Sequence, residues 1–384
     1  MHAVKGMNFN MKILFACGGT AGHINPALAV AGVLKAEHKN ITIRFVGNPN
    51  KMEAQLVPQA GYDFSPLVVE GFQRSLSPEN IKRNFHALAC LMRCGGEVRR
   101  ILADFKPDVV VGTGGYVSGP VLREAAKQKI PTLTHESNAY PGMTTKILAK
   151  SVNRVLLAVE KTKEYLPKKC DCVVTGNPVR AELFGVPRES ARKSLGVPVD
   201  KICVLSLGGS LGAARVNQAV AELIAHFYPE NILHHIHATG QYGTESFPVL
   251  LQEKGINADA ANLDIREYIN NMAECLAAAD LVICRAGAIT LAELQAVGRA
   301  SVLIPSPNVA ENHQYHNAMV LQNHNAAVVL EEKDLNGDSL CETVKNLLSD
   351  PQELKNMSQN AAAMAMPDAA KMICKEIMAL YGHN

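Results

Sequence analysis

Residues 281–318 read LVICRAGAITLAELQAVGRASVLIPSPNVAENHQYHNA, and this stretch sets the fold class. Leu281, Val282, Ile283 and Cys284 form a short apolar run closed by a glycine loop; Ile289, Ala292, Leu294 and Val297 then recur at helical spacing. That order predicts a buried strand, a tight loop and a helix. A second run, Ala300 to Ile304, stops at a proline-broken polar loop, and another helix is predicted from near Gln314. Arg285, Thr290, Glu293, Asn312, His313 and Gln314 collect where strands end and helices start, the edge at which parallel α/β folds bind ligands. Singly they have plainer readings: Thr290-Leu-Ala-Glu293 fits a capping box, and Gln314 fits an exposed helix position. Together they supply neutral amides and a hydroxyl-binding carboxylate beside a helix N-terminus, as a sugar nucleotide requires.

The same strand-loop-helix unit occurs at two other places. Lys12 to Cys17 reads as a strand and Gly18-Gly-Thr-Ala-Gly-His23 as a loop; Asn25 is the expected N-cap and Pro26 the first helical residue, ahead of the apolar helix from Ala27 to Leu34. Later, Ile202 to Leu207 is a strand, Gly208-Gly-Ser-Leu-Gly212 a glycine-rich loop and Ala213 to His226 a helix. Two glycine loops at strand-to-helix bends, about 190 residues apart, predict two Rossmann-like domains facing a cleft. Neither loop is GxGxxG with a following acidic residue, which argues against an NAD oxidoreductase. His23 lies beside a helix start, where the dipole disfavours the charged ring and leaves a neutral imidazole able to take a proton; on position alone the plainer reading, a histidine that hydrogen-bonds the loop, is favoured over a base.

The chain's 384 residues exceed what one core supports, so two domains of roughly 150 to 200 residues are expected. Hydrophobic residues at 47% and charged residues at 19% describe a foldable globular chain, and a net charge of +2 carries no nucleic-acid signature. The ten cysteines are scattered without a CxxC pair, which favours free thiols in a reducing compartment. No apolar run reaches the roughly 20 residues that a spanning helix requires, and the start is too short in apolar residues for a secretory signal. Any membrane contact is therefore expected to be peripheral.

Strands are also expected at Ile41 to Val46, Asp108 to Gly112, Ile130 to Thr134, Val155 to Val159 and Val173 to Thr175, with polar loops after two of them, Thr113 to Tyr116 and His135 to Gly142. Converging loops of that kind build a binding surface. Residues 72–100 predict a helix with an apolar stripe of Ile81, Phe85, Leu88, Leu91 and Met92, edged by Arg74, Lys82, Arg83, Arg93, Arg99 and Arg100. It reads either as a surface for an anionic leaflet or as a core-facing helix with a solvated basic face. In Thr175-Gly-Asn-Pro-Val-Arg180 a strand end meets an Asn-Pro turn, a domain boundary. His234, His235 and His237 suggest a metal only weakly, because His235 is taken to point away from the other two. From Gln352 to Met378 the chain is Ala- and Met-rich with helical periodicity, and one helix there is expected to cross back to the first domain.

Six motifs in order carry a family resemblance: GGTAGHINPALAVA at 18–31, GTGGYVSGP at 112–120, HESNAYPG at 135–142, TGNPVR at 175–180, GGSLGA at 208–213, and RAGAIT with AE, P and ENHQYHNA between Arg285 and Ala318. The chain resembles the undecaprenyldiphospho-muramoylpentapeptide β-N-acetylglucosaminyltransferases, the peptidoglycan glycosyltransferases that make lipid II. It departs from that pattern at Ala21, where many members have glycine, at Ser137, where many have glutamine, and in its ten-residue N-terminal extension.

The resemblance implies a GT-B fold: an acceptor and membrane-associating domain over 11–176, a UDP-N-acetylglucosamine domain over 177–365, and a C-terminal helix near 366–384 packed back on the first. It implies that Thr20, Ala21 and Gly22 border the donor's sugar and diphosphate region, that Asn138 meets the acetylglucosamine, and that Arg180 and Ser210 serve the nucleotide's diphosphate region. Ile269 would present backbone to uracil, while Ala288, Ile289, Thr290, Leu291 and Ala292 line the nucleotide. Glu293 would hold the ribose hydroxyls and Gln314 the sugar hydroxyls. The implied partners are UDP-N-acetylglucosamine, the lipid I acceptor, the cytoplasmic face of the membrane and other cell-wall synthesis proteins, with no nucleic acid.

The chemistry expected is single displacement with inversion, His23 acting as base toward the acceptor's C4 hydroxyl. No DxD motif occurs in the second half, so no metal or other cofactor is expected. Two readings from other classes are a sugar-nucleotide epimerase, which needs no lipid acceptor, and a UDP-sugar-binding protein without turnover.

Overall fold

The computed structural model describes residues 10–69 and 94–382. The chain forms two compact units, one of residues up to Val179 together with those from Pro367, the other from Arg180 to Met366. The passage between units thus falls within the TGNPVR turn, after Val179 and not after Gly176.

The first unit runs β1 (Met11–Ala16), α1 (Ala21–Glu37), β2 (Ile41–Gly47), α2 (Glu53–Gln59), β3 (Asp63–Pro66), α3 (described over residues 94–105), β4 (Val109–Gly112), α4 (Ser118–Lys127), β5 (Thr132–Glu136), α5 (Met143–Leu148), β6 (Arg154–Leu157) and β7 (Cys172–Val174). Its strands are all parallel, in the order β3-β2-β1-β4-β5-β6-β7. Strands buried on both faces read as nearly continuous apolar runs, as Val109, Val110 and Val111 of β4 do. Phe15 and Phe45 stack at 5.1 Å on the face that carries α1. Leu14, Val46 and Val110 pack on the other face with Val98 and Leu102 of α3 and Val121 and Leu122 of α4.

The second unit runs α6 (Arg188–Ser194), β8 (Ile202–Leu207), α7 (Ala214–Phe227), β9 (Leu233–Ala238), α8 (Ser246–Glu253), β10 (Leu263–Arg266), α9 (Met272–Ala278), β11 (Leu281–Cys284), α10 (Ala288–Val297), β12 (Ala300–Leu303), α11 (His313–Gln322), β13 (Ala327–Val329), α12 (Gly337–Ser349) and α13 (Pro351–Ala363). Its order is β10-β9-β8-β11-β12-β13, again parallel. The last helix, α14 (Ala369–Gly382), belongs to the first unit, where Ile373, Cys374 and Ile377 join the α1 core. Arg154 of β6 pairs with Glu376 of α14, which fixes that helix at a second point.

In each sheet the strand before the glycine loop is the one at which chain order reverses: β1 between β2 and β4, β8 between β9 and β11. Such switch points leave a crevice at the strands' carboxyl ends, where ligands bind.

Three local expectations need correction. The first helix starts at Ala21 and not at Pro26: Thr20 is extended at φ −144° and its carbonyl already receives the His23 and Ile24 amides. Pro26 therefore sits inside the helix and removes one bond, that to the Gly22 carbonyl. Second, Gly287 caps α10, so Thr290 lies in the helix and the capping-box reading of Thr290 and Glu293 fails. Third, His235 and His237 share a face of β9, because strand side chains alternate with period two: Ser206 Oγ lies 2.7 Å from His235 Nε2 and 2.7 Å from His237 Nδ1. Among the described residues no group of three His, Cys, Asp or Glu side chains is arranged to hold a metal.

The apolar stripe from Ile81 to Met92, with Arg74, Lys82, Arg83 and Arg93, lies outside the described residues. Beyond it, Arg99 and Arg100 of α3 are exposed while Val98 and Leu102 are buried.

Candidate active site

In the first unit three loops meet at the carboxyl ends of β1, β4 and β5. Thr20 caps α1 without a side-chain bond to the helix amides, and Ala21, Gly22 and His23 form the first turn. The amides of Ala21 and Gly22 precede any intrahelical acceptor, so they are donors at the positive end of the helix. His23 Nδ1 lies 3.1 Å from the Gly18 carbonyl and 3.3 Å from Thr20 Oγ1. A carbonyl only accepts, so Nδ1 carries the ring proton and Nε2 presents its lone pair. Burial pulls the ring below its usual pKa range, opposed by the Gly18 bond and by the carboxylates of Glu136 and Glu53. The ring is thus a neutral acceptor at neutral pH, the form a general base needs.

The loop after β4 fits against this ring without side chains. Gly114, at φ +105°, lies so close that an added Cβ would stand 2.5 Å from His23 Cδ2; Gly115 approaches the Gly18 carbonyl to 2.2 Å on the same test. Thr113 Oγ1 donates to the His23 carbonyl at 2.7 Å, and Ser118 Oγ bonds the carbonyls of Ala16 and Gly114, both at 2.7 Å.

Glu136, at the end of β5, organises the third loop. Its Oε1 accepts from the Asn138 amide and from Asn138 Nδ2, both at 3.0 Å, and its Oε2 from the Gly142 amide at 3.0 Å and Thr145 Oγ1 at 2.5 Å. Asn138 is therefore held in place by a buried carboxylate. His135 turns the other way and donates Nε2–H to the Gly176 carbonyl at 2.9 Å, consistent with alternation along a strand.

In the second unit Ser210 lies exposed in the loop after β8, and the Gly212 amide is used within that loop on the Gly209 carbonyl at 2.9 Å. Ala288, Ile289, Thr290, Leu291 and Ala292 make up the start of α10, after β11. Glu293, one residue further, pairs with Arg180 at 3.2 Å, and Arg180 also meets Glu182 at 3.1 Å. Burial pushes the Glu293 carboxyl above its usual range, with Arg180 opposing. Arg180 is thus engaged by two carboxylates instead of standing free for an anion.

Gln314, in the first turn of α11, accepts the Ser306 amide at 2.9 Å through Oε1, which closes the loop after β12. Glu311 and Asn312 just ahead of it are both left-handed, at φ +52° and +51°, a conformation that stores strain in residues other than glycine. Ile269, buried, follows β10. The sequence-derived residues of each unit therefore fall at the carboxyl ends of that unit's strands.

Sequence reasoning passed over Glu53, whose buried carboxylate accepts the Gly19 amide at 3.1 Å and the Asn48 amide at 3.0 Å. It lies 34 residues from the glycine it holds, and no local pattern marks such a pair. Thr113 and Ser118 were likewise visible only as loop residues.

The glycosyltransferase family 28 N-terminal domain matches residues 13–157 and the family's C-terminal domain matches residues 203–373. The chain is 44% identical to a protein of Acetivibrio thermocellus named UDP-N-acetylglucosamine--N-acetylmuramyl-(pentapeptide) pyrophosphoryl-undecaprenol N-acetylglucosamine transferase, over 96% of this chain and 98% of that one. It is 44% identical to the protein of the same name from a Thermoanaerobacter species, over 96% and 100%. The crystal structure of Acinetobacter baumannii MurG is similar at a TM-score of 0.77 and 27% identity, over 96% and 99% of the two chains.

Proposed function

The chain belongs to glycosyltransferase family 28, and from that membership we infer that it transfers N-acetylglucosamine from UDP-N-acetylglucosamine to N-acetylmuramyl-(pentapeptide) pyrophosphoryl-undecaprenol, forming lipid II for peptidoglycan. It is a UDP-sugar hexosyltransferase of GT-B fold.

The acceptor's C4 hydroxyl oxygen attacks C1 of the donor sugar, the C1–O bond to UDP breaks, and the α linkage becomes β. The hydroxyl proton passes to His23 Nε2. What carries this assignment is the His23 ring itself, its Nδ1 proton spent on the Gly18 carbonyl and its pKa lowered by burial. Thr20, Ala21 and Gly22 border the donor's sugar and diphosphate region, with two unsatisfied amides at a helix start in support. Asn138 meets the acetylglucosamine in an orientation set by Glu136.

Ser210 and the start of α7 serve the diphosphate. Residues 288–292 line the nucleotide, Ile269 presents backbone to uracil, and Gln314 holds sugar hydroxyls. Glu293 takes the ribose hydroxyls, and Arg180 acts first on Glu293, keeping that carboxylate charged, and only through it on the nucleotide. The donor half carries no DxD pair, so the departing charge is met by amides and a helix dipole without a bridging metal.

Among the described residues no helix is long and apolar enough to cross a membrane. The lipid-linked acceptor is met peripherally at the cytoplasmic face, through the basic and apolar residues between 72 and 100.

The test is transfer of radiolabelled acetylglucosamine to a lipid I analogue, in chelator, with wild type beside His23→Ala. The expected result is an extractable disaccharide from wild type and a variant slowed by about 10² or more. Free 2-epimer, or donor bound without turnover, would replace the transferase reading. Loss of wild-type activity in chelator would overturn the metal-free mechanism.

A further inference from the structure

We propose that Glu53 is a positioning residue for His23: by holding the Gly19 amide it fixes the Gly18 carbonyl, and that carbonyl fixes the proton on His23 Nδ1. The inference rests on the reading of His23 as the base.

Glu53 opens α2 and is fully buried. Its oxygens accept the Gly19 amide at 3.1 Å and the Asn48 amide at 3.0 Å. Among the described residues no lysine or arginine pairs with it, so a carboxylate has been taken out of water for two backbone amides. Burying a charged group costs free energy that only its hydrogen bonds offset, so the two amide contacts and the carboxylate hold one another in place.

The backbone is shaped to admit it. An added Cβ at Gly18 would stand 2.2 Å from Glu53 Oε1, and one at Gly47 would stand 2.6 Å from its Cγ. Asn48 is anchored in turn by its Nδ2 on the Val69 carbonyl at 2.9 Å. Gly19, at φ +89°, is the joint of the loop, and the peptide it shares with Gly18 has two ends in use. Its N–H meets Glu53 and its carbonyl meets His23 Nδ1 at 3.1 Å. One peptide plane thus links the carboxylate to the ring, and rotating that plane would release the Nδ1 proton and let the ring take the other tautomer.

The ionisable groups that act on the ring are Glu53 of α2 and Glu136 of β5, both of which favour its protonation. Neutralising Glu53 therefore lowers the ring's pKa further.

The experiment reads the ring directly. In ¹⁵N-labelled wild type, long-range proton-nitrogen spectra, assigned by comparison with His23→Ala, are expected to show the Nδ1–H tautomer at pH 8. Glu53→Gln keeps the shape but turns one amide-facing oxygen into a donor. It is expected to mix the tautomers, shift the ring titration to lower pH, and reduce kcat about tenfold while KM for UDP-N-acetylglucosamine stays within about twofold, as loss of an orienting contact does. An unchanged tautomer and titration in folded Glu53→Gln would overturn the proposal. A changed ring with unchanged kcat would support the positioning and overturn the base assignment instead. Should Glu53→Gln fail to fold, wild type still decides: a ring protonated at Nε2 overturns the proposal and one protonated at Nδ1 supports it.

Discussion

Gly114 limits where the His23 ring can sit, since its backbone touches the ring edge and its φ of +105° excludes most side chains. Gly114→Ala should therefore displace the ring, reducing kcat about tenfold or more with donor KM little changed, as a misplaced catalytic group does. Steady-state kinetics against both substrates would show it, and a variant with wild-type kcat would disprove the contact's importance. Glu293 makes the complementary case. Its carboxyl is raised by burial and held by Arg180, so Glu293→Ala should raise KM for UDP-N-acetylglucosamine by roughly 10- to 100-fold, the range of a lost charged hydrogen bond, with a smaller change in kcat. Equal loss in kcat and kcat/KM would move Glu293 from ground-state binding to the transition state. At this scale the residue types were readable from sequence and their partners were not. Thr290 and Glu293 fit a capping box by spacing, yet the helix begins at Ala288 and Glu293 turns to Arg180, 113 residues away.

Strands and helices were the most legible level. Ile202–Leu207 stands as β8 with the limits its apolar run suggests, because its central residues are buried on both faces and its one polar residue, Ser206, is small and bonded to His235 and His237. Asn25-Pro26 misled, since an Asn-Pro pair marks a helix start only if no earlier residue has closed the first turn, and Thr20 had. The element with the clearest energetic consequence is α14. Ile373 and Ile377 are at most 2% exposed against α1, the helix that carries His23 at its start. Each truncation to alanine should destabilise the first unit by about 2–5 kcal/mol, the usual range for buried isoleucine. Urea unfolding should then show an earlier transition while UDP binding by the second unit persists. A single unfolding midpoint unchanged from wild type would contradict the packing role.

Across the whole molecule, buried histidines set the response to acid. His23 and His135 in the first unit and His234, His235 and His237 in the second all have pKa values lowered chiefly by burial, His235 to about 3. The folded protein keeps these rings neutral and the unfolded chain does not, so their contribution is whole above the ordinary value of 6.5 and is lost as pH falls below it. For buried His235 the loss approaches about 1.4 kcal/mol per pH unit between those limits. Denaturant midpoints should fall steadily from pH 7 to pH 4.5, and a flat profile would refute the assignment.

The sequence by itself determined the α/β class, the paired glycine loops, the family and the residue types at the strand ends, because each is written in short-range pattern. Only the tertiary structure decided what those residues do to one another. The Glu53 hold on the Gly19 amide, the Gly114 contact with His23 and the pairing of Arg180 with Glu293 join parts of the chain that come together when parallel strands align their carboxyl ends. A hydrogen bond there sets which ring nitrogen bears a proton and burial sets which carboxyl is pushed up, and both are properties of packing that no local run of residues contains.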